Sequence, residues 1–521
     1  MLHIRNLTLR HRIDDRILIR NLECHLQAGD CAALTGEEGH GKSTLLQLAA
    51  AMAGAAPKPE YIDYTGTITL DSDLVGYLPQ FLPEEDAGHS VYDYLLAAPG
   101  AEPYDTSGWH SAAVEVGLDP DLLYSSQKMS ELSGGEKIKV QFVRLLQRRP
   151  DIWLLDEPSN DLDLPTLKWL ETFMQSRREL IWFISHDETL IRRTADVMVH
   201  LEQIWRKTES RWTVARVPYE TYITERAAAF SKQDQLARKE EADYRSKQER
   251  YQQIRNRVEH EQNTISRKDP AGGRLLKKKM HAVQSLGRRM EKDYENRTRI
   301  TDSEDAILAF FEESVTLPAS KEILRFRLDT LRTPDQARTL AEDLELDVTG
   351  PEKIAIIGAN GSGKTTLLRL IAEELLARRD IKAAYMPQDY TDRMETEALP
   401  VDWLVPSGKA EERQRALDHL GSMRFAHMEM TRPLRELSGG QKAKLFILRM
   451  ILNGNNVLIL DEPTRNFSPL SGPVIREILA RFGGAVIAVS HDRLFLTEVP
   501  DTVYELTTGG LQRFDEDPAS L

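Results

Sequence analysis

The chain has 521 residues, 41% of them hydrophobic and 29% charged, and a net charge of −14. That length exceeds one ordinary domain and supplies large cores. Only Cys24 and Cys31 occur, which excludes a disulfide framework and any four-cysteine metal or iron–sulfur site.

Segment 1–15 alternates apolar residues with Arg and His, which reads as a strand and not a signal peptide. A second apolar run, Cys31-Ala32-Ala33-Leu34, leads into Gly36-Glu37-Glu38-Gly39-His40-Gly41-Lys42-Ser43. That is a full Walker A loop between a predicted strand and a predicted helix. Its glycines let backbone N–H groups fold round phosphates, Lys42 neutralises the β and γ groups, and Ser43 ligates magnesium. The helix from Thr44 to Ala53 aims its N-terminus at the same anion. The longest apolar-looking run, Leu45 to Ala56, is half alanine and too short to span a bilayer. A cytoplasmic protein is expected.

Gln80 follows the strand Leu74–Leu78. Leu132-Ser133-Gly134-Gly135-Glu136 heads a helix. The strand Ile152–Leu155 ends in Asp156-Glu157-Pro158, and the strand Leu180–Ile184 in Ser185-His186-Asp187. Asp156 can hold magnesium, and Glu157 is placed to polarise an attacking water.

Residues 219–300 interrupt this pattern. From Glu225 to Thr264 there is no Pro or Gly, and good helix formers dominate. Ala237, Tyr244, Tyr251, Val258 and Ile265 recur every seventh residue, with Ile254 between, the spacing of a coiled-coil seam. Asp269-Pro270-Ala271-Gly272-Gly273 is expected to break the helix. A return helix follows, with Leu276, Met280, Val283, Met290 and Tyr294 on one face. Residues 220–300 hold 20 Lys and Arg against 13 Asp and Glu, so this segment carries +7 in an acidic chain. The cations gather at the turn: Arg267, Lys268, Arg274, Lys277, Lys278, Lys279, Arg288 and Arg289. A cation-rich tip points to a phosphate-rich partner. The alternative is a solvated coiled coil whose lysines keep it soluble.

The second half repeats the first. Gly358-Ala359-Asn360-Gly361-Ser362-Gly363-Lys364-Thr365, with Thr366 next, is its Walker A. Gln388, Leu437-Ser438-Gly439-Gly440-Gln441, Asp461-Glu462-Pro463 and Ser490-His491-Asp492 follow in the same order. Ser133 to Ser438, Asp156 to Asp461 and His186 to His491 are each 305 residues apart, while Lys42 to Lys364 is 322 and Gln80 to Gln388 is 308. The halves therefore run in register from the signature serine onward. The fold class is α/β: two P-loop domains, residues 1–218 and 306–521, joined by a helical hairpin at 219–305.

Together these motifs resemble the ATP-binding cassette superfamily. Two cassettes without a membrane span, joined by a charged helical linker, resemble its ABC-F family. The resemblance implies an ATPase that binds the ribosome, its rRNA and tRNA, in the ATP-closed state and acts on translation. Several members of that family protect the ribosome from antibiotics. It implies a monomer with an intramolecular, head-to-tail cassette dimer, using ATP and magnesium. The first site would then use Gly36, Gly39, Gly41, Lys42, Ser43, Thr44, Gln80, Asp156, Glu157 and His186, faced by Ser438, Gly439 and Gly440. The second would use Gly358, Gly361, Gly363, Lys364, Thr365, Thr366, Gln388, Asp461, Glu462 and His491, faced by Ser133, Gly134 and Gly135. Glu157, Glu462, His186 and His491 would be catalytic. Ser43, Gln80, Asp156, Thr365, Gln388 and Asp461 would surround the metal.

The chain also departs from that family. Arg465-Asn466-Phe467-Ser468 replaces the usual Asn-His-Leu-Asp, whereas Asn160-Asp161-Leu162-Asp163 is kept. The two sites are therefore expected to differ. No adenine-stacking aromatic stands near Ile13 or Pro334, His11 apart. The halves differ by too few residues after the glutamine for an extra arm, and no long tail is expected beyond Leu521. The competing reading is the ATP-hydrolysing subunit of a membrane importer, which would lack the basic hairpin. A chromosome- or repair-type ATPase would carry its coiled coil inside a cassette, and an ABC-E factor would need a cysteine cluster.

Overall fold

The computed structural model describes residues 1–97, 106–160, 162–204, 209–264, 270–295, 298, 315–333, 338–390, 394 and 396–514. It divides into two compact units. One joins Met1–Tyr219 with Glu304–Leu521, and the other is Glu220–Ser303.

The first unit contains the same α/β core twice. In the first half the strands are β1 (Leu2–His11), β2 (Ile17–Leu26), β3 (Cys31–Thr35), β4 (Ile62–Leu70), β5 (Val75–Leu78), β6 (Ile152–Asp156), β7 (Leu180–Ile184), β8 (Val197–Ile204) and β9 (Glu209–Ala215). A six-stranded sheet runs β5-β6-β7-β3-β8-β9, and an antiparallel sheet runs β2-β1-β4. Every residue of β3, β6 and β7 is buried. Parallel strands covered on both faces read as unbroken apolar runs, so these segments lack alternation. In β1 the buried positions are Leu2 and Ile4, then Leu7 and Leu9. The change of phase falls on Asn6, which has φ 49° where the ladder register shifts. A bulge of this kind turns the later side chains back to the core face.

The second half has β10 (Glu322–Arg332), β11 (Thr339–Thr349), β12 (Lys353–Ile357), β13 (Ala383–Met386), β14 (Val457–Asp461), β15 (Ala485–Val489), β16 (Thr502–Thr507) and β17 (Gly510–Arg513). Its main sheet runs β13-β14-β15-β12-β16-β17, the same order as in the first half, and β10 pairs with β11. In each half the helix after the P-loop is buried in the core beside the central strand. Leu45, Leu46 and Ala49 pack with Leu34 and Ile184. Leu367, Leu368 and Ile371 pack with Ile356 and Val489.

The second unit is a helical hairpin. Its outgoing helix, Tyr219–Thr264, has 46 residues, a rise of about 69 Å at 1.5 Å per residue. The return helix is Pro270–Glu295. The expected breaker therefore lies partly inside it. Pro270 starts the helix, where its missing N–H would have had no partner, and the glycines follow within the first turn. Ile265, Arg267, Lys268 and Asp269 lie outside the described residues.

Ala237, Val258, Leu276 and Val283 are buried, and Tyr244 stacks on Tyr294 with centroids 4.0 Å apart. A Cβ on Gly287 would lie 2.7 Å from the Tyr251 hydroxyl, so the helices approach closely at that level. Ile254 is not in the seam. It is 46% exposed, because Tyr251 and Val258 hold the inner positions and leave it at the edge. Lys279 is also less free than expected, since its Nζ lies 3.6 Å from Glu261 on the outgoing helix.

Leu276→Asp together with Val283→Asp should open the hairpin. Hydrogen exchange should show helix amides losing protection by about 2 kcal/mol or more, with β3 and β12 unchanged. Unaltered exchange in the helices would show that these residues do not hold the seam.

Candidate functional site

Each central strand ends in a P-loop. Gly36 and Gly358 have φ 143° and 149°. A Cβ there would stand 2.3 Å from the Leu201 carbonyl oxygen and 2.7 Å from that of Leu506, so only glycine allows the turn. Gly41 and Gly363 cap the helices Lys42–Met52 and Lys364–Ala377 in left-handed conformation with no side-chain cap. The first-turn N–H groups are therefore left facing an anion position. Lys42 Nζ donates to the carbonyls of Gly36 and Glu37 at 2.7 and 3.0 Å, and Lys364 Nζ to those of Gly358 and Ala359 at 2.8 Å each. Gly39 and Gly361 turn the loops between these points at φ 77° and 76°.

Beside each loop stands the end of a parallel strand. Ser43 Oγ donates to Asp156 Oδ1 at 3.1 Å. The next residues, Glu157 and Glu462, both have φ 51°. Left-handed backbone at a glutamate costs roughly 1–3 kcal/mol and marks a constrained position. The turn brings Glu157 Oε2 within 3.1 Å of the His186 N–H, and Glu462 Oε2 within 3.3 Å of the His491 N–H. The imidazole Nε2 atoms lie 3.3 Å from Glu157 Oε1 and 3.9 Å from Glu462 Oε1.

Burial, helped by Glu157, pushes Asp156 up to about 7, and burial with Asp461 pushes Glu462 up to about 8. Burial also raises Asp461, opposed first by the Thr365 hydroxyl beside it. These hydroxyl and carboxylate oxygens fit a hard divalent cation, whose charge would keep the carboxylates ionised. Burial and the Lys364 charge hold His491 neutral, down to about 3. Lys364 is lowered by burial, against the pull of Glu462, Asp163 and Asp461.

The two halves meet head to tail. A cavity of about 470 Å³ is lined by Lys364, Thr365, Thr366, Gln388, Asp461, Glu462 and His491 from the second half and by Gly134 and Asn160 from the first. Ser133 caps the signature helix Gly134–Leu146 in a capping box with Glu136, and a Cβ on Gly135 would sit 3.0 Å from Thr166 Oγ1. At the other end Ser438 caps Gly439–Leu452 with Gln441. There the Gly440 N–H donates to Glu38 Oε2 at 2.9 Å, and Lys444 Nζ to Glu37 Oε1 at 3.0 Å. Gln80 lines a separate cavity of about 430 Å³ with Asp156 and Tyr77.

The departure at Ser468 has a structural counterpart. The charge of Asp163 reaches Lys364 and His491. Ser468 instead hydrogen-bonds Ser471. Its neighbour Phe467 holds its carbonyl 2.8 Å from His186 Nδ1, which must therefore carry the proton. Asp161 and Pro334 lie outside the described residues.

Several residues at these sites were not singled out in the sequence. Tyr61 places its hydroxyl 3.2 Å from Thr44 Oγ1 and its ring 6.2 Å from His11, an aromatic pair beside the first P-loop. It lies just before β4, far along the chain from the turn near Ile13. Thr333 and Leu340 line the matching side of the second cavity. Arg476 reaches Glu188 at 3.0 Å, and Arg493 pairs with Glu171 and Asp187, so two buried ion-pair clusters cross between the halves. Burial raises Glu188, with Arg476 and Arg192 opposing. Breaking such a buried pair strands a charge. Arg476→Ala and Glu188→Ala should each cost about 3 kcal/mol in urea unfolding, and the double variant less than the sum. Additive losses would mean that the two side chains are not coupled.

The ABC transporter family model matches residues 19–160 and 341–465. "Probable ATP-binding protein YheS" of Escherichia coli (strain K12) is 26% identical over 537 residues, covering 98% of this chain and 79% of the relative. "ATP-binding protein Uup" of Haemophilus influenzae is 27% identical, covering 94% and 76%. The human "ATP-binding cassette sub-family F member 3" is 26% identical, covering 96% and 71%. An archaeal ribosome recycling factor, solved in complex with a ribosomal stalk protein, matches with TM-score 0.58 at 15% identity over 98% of this chain and 91% of that one, a likeness of fold. No described helix is long and apolar enough to cross a membrane. With just over half of its length matched by the family model, the chain belongs to the ABC transporter family as a tandem-cassette ATPase, and its relatives include a protein named for sub-family F.

Proposed function

We propose that this ATPase is a clamp that binds the ribosome when ATP holds its halves together and acts on translation through the hairpin tip. The observation that carries this is the head-to-tail pairing, in which Gly134 faces Lys364 across an open cavity while Gly440 faces the first P-loop. The domain limits in this reading are 1–218, 219–305 and 306–521. Glu157 and Glu462 orient water, and His186 and His491 hold that geometry. Ser43, Gln80 and Asp156, and likewise Thr365, Gln388 and Asp461, hold magnesium, which when bound neutralises charge on the β and γ phosphates. A γ-phosphate between a P-loop and a signature helix is held by both N-termini, and its loss on hydrolysis releases one of them.

Ribosome binding rests on the basic tip. Lys277, Lys278, Arg288 and Arg289 are exposed, and cations of this kind take phosphates without reading sequence. Two solved neighbours support the reading, one named as a ribosome recycling factor and one as part of a ribosome-bound assembly. Protection against ribosome-targeting antibiotics is the resistance form of the same action, and expression in a sensitive host tests it by growth.

Changing Glu157 and Glu462 together to Gln should lower turnover by about 10²–10⁴-fold while ATP stays bound. The variant should co-sediment with ribosomes and not with membranes. Wild-type turnover would remove both glutamates from their roles, and co-sedimentation with membranes would favour the importer reading. Lys277→Gln with Lys278→Gln should weaken ribosome binding and flatten its log–log salt dependence by up to about 0.7–0.9 per lost contact. ATP turnover without ribosomes should persist. Unchanged affinity and slope would mean that the lysines are only solvated.

A further inference from the structure

The first P-loop carries two carboxylates where the second has none: Glu37 and Glu38 stand at the positions of Ala359 and Asn360. Both reach the opposite half. Glu38 Oε2 accepts the Gly440 N–H at 2.9 Å, and its Oε1 lies 3.3 Å from where a Cβ on Gly439 would be. Glu37 Oε1 pairs with Lys444, whose side chain is 10% exposed. The gap between them, lined by Glu37, Glu38, Ser438, Gly440 and Ser468, holds about 30 Å³, against about 470 Å³ at the second P-loop.

In the clamp described above, the Gly440 N–H at the head of a 14-residue helix is the donor for a γ-phosphate at the first site. A carboxylate already seated there satisfies that donor and complements the positive end of the helix. An incoming triphosphate would have to displace it and then lie against two like charges. Being part of the chain, the carboxylate is present at high effective concentration.

We propose that Glu38 is a tethered anion that takes the place of the γ-phosphate at the first site. It latches the first P-loop to the second signature without nucleotide, and leaves the second site as the one where ATP is sandwiched. The proposal rests on the clamp reading and narrows it: ATP closes the second site, and Glu157 meets a nucleotide only when Glu38 is displaced from Gly440. The second P-loop has no such carboxylate, since Ala359 and Asn360 occupy those positions.

The test is nucleotide stoichiometry on the full chain. Radiolabelled ATP with magnesium is trapped by filtration in the non-hydrolysing Glu157→Gln, Glu462→Gln background. With Glu38 in place, one ATP per chain is expected. Glu38→Asn, the residue of the second P-loop, should raise this to two, and Glu38→Gln should do the same if Asn disturbs folding. The added equivalent should vanish on Lys42→Ala. Two equivalents with Glu38 intact overturn the latch alone, as does one equivalent whatever stands at residue 38. Binding of no ATP by any variant overturns the clamp reading, and the latch with it.

Discussion

Backbone N–H groups at a helix start need an acceptor, and this protein aims two such starts at each of two places. A P-loop helix from one half and a signature helix from the other present like partial charges across a narrow gap. Such ends come together only with an anion between them. At the second P-loop the gap is a cavity of about 470 Å³ with Gly134 on its far wall. At the first, the Glu38 carboxylate already bridges it. The sheets, caps and buried ion pairs hold these helix ends in place.

The ion pairs trade stability for definition. Arg476 and Arg493 are almost wholly buried between the halves with Glu188, Glu171 and Asp187. Taking such charges from water costs several kcal/mol per ion, largely offset when the partner is well placed. A mispositioned half would leave the charges unpaired, so the clusters select one docking geometry. Burial at the strand ends also pushes Asp156 and Glu462 upward, which places poorly solvated carboxylates where a cation can use them.

The hairpin is stabilised by different means. Its outgoing helix has few apolar residues, and the seam rests on a few buried side chains and the Tyr244–Tyr294 stack. Most of its cations stay in water, although Lys279 is drawn to Glu261. A surface pair of that kind is worth little. It shows that not every lysine near the tip is equally available.

Much of the fold was legible in the sequence because its signals are local. Unbroken apolar runs at Ile152–Leu155 and Leu180–Ile184 mark buried parallel strands, and the glycine spacing at 36–41 and 358–363 marks P-loops. The constant offset of 305 revealed two cassettes, and the seven-residue spacing a helical hairpin, though Ile254 lies outside the seam and Pro270 opens the return helix. What the tertiary structure decided lies across the chain. Glu38 reads as one variable position in a glycine loop until Gly440, 402 residues away, is seen to donate to it. Tyr61 enters the first site from outside the expected turn, and Phe467 meets His186 only when the halves dock. The φ of 51° at Glu157 and Glu462 is likewise imposed by the strand ends and the following histidine loops, not by the residues themselves. Sequence spacing encodes local geometry, whereas contacts between distant segments exist only once burial and charge pairing have fixed how the two halves face each other.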